Sequence, residues 1–83
     1  MKVVSRVVTR KAVDAKWLNG EIGKRLRKER QRRGLTLQEV GNSLGVTRAC
    51  VNHWELGSHA NMLVTVVYNA ALFYGVPVRR LLP

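Results

Sequence analysis

Cysteine is nearly absent from this chain, and the single one, Cys50, excludes an internal disulfide and supplies no metal cluster. Histidine is almost as scarce, with only two, so no metal-ligand set is in view. No Gly-rich phosphate loop is followed by a Lys, and no Ser or Cys nucleophile has a base placed to activate it. The expectation is a protein that is no enzyme and needs no cofactor. No apolar run approaches the roughly 20 residues of a membrane span, which argues against a membrane partner. The VVSRVV segment near the start is interrupted by charge and lacks the unbroken apolar centre of a secretion signal, so a reducing cytoplasm is the expected location. Acid is also in short supply, with five Asp and Glu against 15 Lys and Arg.

That imbalance leaves a net charge of +10 and an isoelectric point of about 11.2, which favours a polyanionic partner. Its distribution is uneven. Residues 1–33 hold 12 of the bases and 3 of the acids, a net of +9, whereas residues 34–83 hold 3 bases and 2 acids, a net of +1. A charge run is often just a solvated helix face; beside the motif described next, nucleic acid is the better reading. The 83 residues suffice for one domain, near the lower limit at which a single core sustains itself, so a second copy would help. Apolar residues make up 46%, enough to pack such a core.

The most informative stretch is TLQEVGNSLGVTRACVNHWELG, Thr36 to Gly57. Thr36 and Glu39 are spaced to satisfy the exposed amides of a first helical turn reciprocally, a capping box. Leu37, Val40 and Leu44 then give a short helix one buried face. Gly45 stands where a chain leaving a helix needs a positive φ, and Thr47 can cap a second helix whose Val51 and Trp54 share a face and which Gly57 ends. Gly41 sits at the crossing, where a residue without a Cβ permits close approach. Two short helices joined by a Gly-containing turn are a helix-turn-helix by geometry. With Val51 and Trp54 turned inward, Arg48, Ala49, Asn52 and His53 lie on the opposite side, and Thr47 and Cys50 at its margins. Arg48 can pair bidentately with guanine, Asn52 with adenine or a phosphate, Ala49 with a thymine methyl, and His53 with a base or phosphate. For His53 the plain alternative is a solvated side chain. Cys50 is expected to pack beside the preceding helix.

These residues also carry a resemblance. The run LTLQEVGNSLGVTRACVNHWELG, with IGKRLRKERQRRGLT before it and GVPVRRLL after it, resembles the phage-repressor and Cro-like family, also called the xenobiotic-response-element family, over about residues 21–82. The resemblance implies an all-α, compact five-helix Cro/C1-type (lambda-repressor-like) domain at 20–83, preceded by a basic N-terminal arm and lead-in turn at 1–19. It also implies a structural ion pair between Arg30 and Glu55. Backbone contacts to DNA would come from Thr36, Gln38 and Thr47 and from Ser58, His59 and Asn61 in the loop. By the same resemblance the tail, with Val78, Leu81 and Leu82, joins two subunits. The chain departs from the family pattern in three places: Leu37 replaces a phosphate-binding Gln, Gly41 an Ala, and the pair Ala60 and Asn61 a Pro.

Along the rest of the chain, KVVSRVVTRK at 2–11 has three open readings: a basic arm lying along a DNA groove, a strand pairing with its copy, or a frayed end. Under the first, Arg6, Arg10 and Lys11 contact phosphates. Residues 12–19 predict a helical turn ending near Asn19 and Gly20, with Trp17 packed in the core rather than stacked on a base. A first helix is expected over 21–33, with Ile22 and Leu26 inward and the stripe continuing to Glu29, Arg30 and Arg33. A fourth spans about 62–74, capped by Asn61, and Pro77 opens a fifth, PVRRLL. The function expected is a sequence-specific DNA-binding transcriptional regulator, a repressor that binds a palindromic operator as a homodimer. The alternative is an antitoxin that neutralises a toxin partner and represses its own operon.

Overall fold

The computed structural model describes residues 12–58 and 62–83. Its order is α1 (Ala15–Arg32), α2 (Leu37–Leu44), α3 (Arg48–Leu56), α4 (Val64–Tyr74) and a single 3₁₀ turn, Val78–Leu81. The described residues contain no strand, and the fold is all-α. The expected fifth helix is instead that one turn. Arg80 N bonds the Pro77 carbonyl at 2.9 Å and Leu82 N the Arg79 carbonyl at 3.3 Å, an i to i+3 pattern that suits a segment too short to repay an α-helical nucleus.

The first helix differs more. The turn expected over 12–19 and the helix expected from Glu21 are one continuous α1, so Asn19 and Gly20 are not a stop. Asp14 caps it, accepting from Lys16 N at 2.9 Å. A glycine inside a helix costs about 1 kcal/mol relative to alanine, so Asn19-Gly20 carries the local signature of an end. The helix runs on because α1 packs laterally on α3, and the positions that must lack a side chain for this are Gly23 and Gly57. A Cβ at Gly57 would stand 2.6 Å from Gly20 Cα, and one at Gly23 would stand 2.5 Å from the Trp54 carbonyl oxygen and 2.6 Å from that of Glu55. Backbones of α1 and α3 therefore touch directly along 20–23 and 54–57.

That contact seats Trp54 and Val51 against Ile22 and Leu26, and Val40, Val67, Ala70, Ala71, Tyr74 and Leu81 complete one core. Trp17 is not part of it: it is 53% exposed, because Leu18, Ile22 and Leu26 define the inner stripe and Trp17 lies about 100° around the helix from Leu18. Leu18 does pack on the core. Helix α4 begins at Val64 rather than Met62, with Leu63 at its cap position and no side-chain cap. Asn61 lies outside the described residues.

Candidate nucleic-acid interface

The geometry of α2 and α3 follows from their caps and from one missing side chain. Glu39 N donates to Thr36 Oγ1 at 3.1 Å and Thr36 N to Glu39 Oε1 at 2.8 Å, closing the capping box. The hydrogen bonds from Thr36 hold the Glu39 carboxyl below its ordinary value. Gly45 then reverses the chain at φ 72°, and Thr47 Oγ1 accepts from Cys50 N at 3.1 Å to start α3. Val46 N bonds the Gly41 carbonyl at 2.9 Å. A Cβ on Gly41 would be 2.8 Å from the Val46 carbonyl oxygen, so the turn lies closer on α2 than a side chain there would allow without a shift.

The result presents α3 with Val51 and Trp54 buried and Arg48, Ala49, Asn52 and His53 all exposed on the other side. Thr47 is exposed and Cys50 half-buried against the core. Arg48, in the first turn of α3, lines one open cleft together with Thr36, Leu37 and Gln38 from the start of α2 and with Arg30 and Leu35. Gln38 is exposed and donates to Asn42 Oδ1 at 2.8 Å. Asn52 and His53 lie further along α3 and are not part of the cleft lining. Ser58 is exposed, but its hydroxyl donates back to the His53 carbonyl at 3.3 Å, where it tidies the end of α3. His59, Asn61, Arg6, Arg10 and Lys11 lie outside the described residues.

Two buried carboxylates brace the fold, and the first of them holds this face in place. Arg30 donates through Nε to Glu55 Oε2 at 2.7 Å and through Nη2 to Glu55 Oε1 at 3.0 Å, and its Nη1 reaches the Leu35 carbonyl at 2.9 Å. One guanidinium thus ties α1 to α3 and to the link that leads into α2. The Glu55 carboxylate raises the Arg30 pKa above its ordinary value.

The second carboxylate, Glu29, lies on the inner stripe of α1. It is 3% exposed, with Arg33 Nη1 at 2.7 Å, Arg80 Nε at 3.4 Å and Arg32 Nη1 at 3.8 Å. Arg33 also donates to the Tyr74 carbonyl and places its guanidinium 5.0 Å from the Tyr74 ring centre. The hydrogen bond from Arg33 lowers the Glu29 pKa, with the charges of Arg32 and Arg80 adding to it against desolvation. Arg32 and Arg33 follow Glu29 at i+3 and i+4, a spacing that could have flagged the pair, but Arg80 is reached only through the fold.

The tail corrects one expectation. Leu81 is 0% exposed and belongs to the core of its own chain, so it is unavailable to a second one. It is held there because the 3₁₀ turn folds it under α1 and α4, leaving Val78 half-buried and Leu82 41% exposed.

Among the described residues no three His, Cys, Asp or Glu side chains converge as metal ligands, and no helix is long and apolar enough to cross a membrane. Capped α2, a glycine turn and α3 with an exposed polar side define a helix-turn-helix. The helix-turn-helix domain family matches residues 21–82, and the chain belongs to it. The chain is similar to the crystallised DNA-binding domain of BldD, at 33% identity over 82% of this chain and 97% of that one, with a TM-score of 0.73. The S. venezulae BldD DNA-binding domain is similar at 34% identity over 80% and 97%, with a TM-score of 0.70. The restriction-modification controller protein C.AhdI from Aeromonas hydrophila follows at 25% identity over 76% and 94%, with a TM-score of 0.69. Apo-HppE, at 21% identity over 80% of this chain and 36% of that one, shares the fold, with a TM-score of 0.73. No curated protein sequence matches the chain.

Proposed function

We propose that this protein is a sequence-specific DNA-binding transcriptional regulator that acts as a repressor, binding a palindromic operator as a homodimer and blocking polymerase by occupying it. The observation that carries the reading is the shared cleft, where Arg48 at the start of α3 and Thr36 and Gln38 at the start of α2 converge. A recognition helix reads base edges mainly from its N-terminal half, and the amides of a helix start favour phosphate. In this reading α3 enters the major groove, Arg48 pairs with a guanine, and Ala49, Asn52 and His53 meet neighbouring bases. Thr36, Gln38, Thr47 and Ser58 touch the backbone on either side. His59, Asn61, Arg6, Arg10 and Lys11 extend those contacts.

Specificity then resides in a nearly neutral half of the chain, and attraction in residues 1–33 with their net +9. The DNA-binding and controller functions in the names of BldD and C.AhdI support a DNA-binding regulator. Dimerisation through Val78 and Leu82 sets two α3 helices in successive major grooves, about 34 Å apart. Selection of bound sequences from a random DNA pool tests the whole reading. A palindrome with half-sites about one helical turn apart is the expected result, and a pool with no enriched motif would sink it.

A further inference from the structure

Helix α4 is the one α-helix among the described residues without a charged side chain; its sequence is VTVVYNAALFY. Its inner side gives Val67, Ala70, Ala71 and Tyr74 to the core. One outer stripe is apolar as well: Val64, Tyr68 and Leu72, at i, i+4 and i+8, are 69%, 54% and 80% exposed, beside the exposed polar Thr65 and Asn69. A contiguous exposed apolar stripe of this kind marks a surface that is normally covered. Val64 and Tyr68 also border an apolar groove of about 290 Å³, walled further by Leu18, Val78 and Leu82. The face therefore has a hole at the start of α4 and a protruding side chain, Leu72, two turns further on.

We propose that a second copy of this chain covers the face, packed with its α4 antiparallel to the first about a two-fold axis near Tyr68, so that Leu72 of each copy enters the groove beside Val64 of the other. The proposal rests on the dimeric reading above and moves the centre of that dimer from the tail to α4. Two observations select a second copy over other occupants. Each chain carries +10, so two copies repel wherever their basic surfaces meet, and this face has no charge. An acidic partner would be met by bases, which α4 lacks. The stripe is also self-complementary, with one aliphatic residue four positions on each side of Tyr68. A two-fold axis there sets Val64 opposite Leu72 in both halves at once, which is what an isologous contact needs.

Sedimentation velocity on the full chain and on Leu72→Ala and Leu72→Asp, with circular dichroism to check folding, tests the proposal without DNA. The wild type is expected to sediment as a dimer, and both variants to weaken it by tenfold or more with unchanged helix content; Leu72→Ala decides if Leu72→Asp does not fold. Tyr68→Cys in a Cys50→Ser background is expected to form a disulfide-linked dimer on mild oxidation, since a residue on a two-fold axis meets itself. If the wild type is dimeric but both Leu72 variants stay so and Tyr68→Cys fails to cross-link, the dimer stands and this face is not its interface. A wild type monomeric at every concentration overturns both. If a chain lacking residues 1–11 then binds an apolar dye that the full chain excludes, the occupant is that segment.

Discussion

Arg30 and Glu55, 25 positions apart, meet as a two-point pair, Nε to Oε2 at 2.7 Å and Nη2 to Oε1 at 3.0 Å. The Glu55 side chain is 4% exposed and that of Arg30 14%. The pair is a positioning device: it fixes the roll of α3 against α1 and, through Leu35, the entry to α2.

Its removal should be costly on one side only. Arg30→Met leaves the Glu55 charge buried without its partner and is expected to destabilise the fold by about 3 kcal/mol in urea denaturation. The double variant Arg30→Met, Glu55→Leu should recover most of that loss, because no charge is stranded. A double variant as weak as the single one would show that the pair contributes by more than mutual neutralisation.

Arg48 is exposed and outside this network. Arg48→Ala is expected to leave the urea midpoint unchanged, to cost about 1–3 kcal/mol on the selected operator and to relax preference at one base pair. Equal weakening on operator and random DNA would assign it to the backbone instead. Lys11→Ala should weaken all sequences in parallel and lower the salt slope by about one counterion, as read from binding titrations at several salt concentrations.

Gly20 and Gly23 should respond oppositely to the same change. A Cβ at Gly20 meets nothing within 4 Å, so Gly20→Ala is expected to stabilise the helix by about 0.5–1 kcal/mol. At Gly23 the obstacles are the carbonyl oxygens of Trp54 and Glu55, which cannot swing aside as a side chain can. Gly23→Ala should therefore push α1 off α3 and cost about 1–3 kcal/mol by thermal or urea unfolding.

Stability should fall at both extremes of pH for separate reasons. Glu29 is more acidic folded than unfolded, so its contribution is complete above its unfolded value near 4.5 and is lost as pH drops through the lower folded value. Glu29→Gln should cost about 2 kcal/mol at neutral pH, and the gap to wild type should narrow in acid. Burial, with Glu55 nearby, pushes the Tyr74 phenol from 10.0 up to about 12. Its neutral form is favoured by the fold, so that contribution is intact below pH 10 and lost as pH rises toward 12. An absorbance titration should show one phenol ionising late, and only while the chain remains folded.

The helix-turn-helix was legible because its determinants are local. Thr36 with Glu39, Gly45, Thr47 and Gly57 each act within four or five residues, so caps and turns fall where spacing places them. Exposure of Arg48, Ala49, Asn52 and His53 followed from the inward pair Val51 and Trp54. Where several elements had to meet, local signals misled. Asn19-Gly20 resembled a helix end because glycine is a poor helix former, yet the helix runs through them, and it is Gly23 and Gly57, with no room for a Cβ, that bring α1 against α3. Trp17 resembled core by its size, and only the roll of α1 turned it outward.

The sequence by itself determined the helix-turn-helix, its caps and the uneven charge, since these depend on neighbours in the chain. Tertiary structure decided the convergence of Arg80 on Glu29 and the burial of Leu81, whereas the Arg30 to Glu55 pair, expected from the family resemblance, is present. The physical reason is that a buried charge requires a partner without specifying which one, and an apolar side chain requires cover without specifying whose. Packing makes both choices, and on the outer stripe of α4 it leaves cover still required.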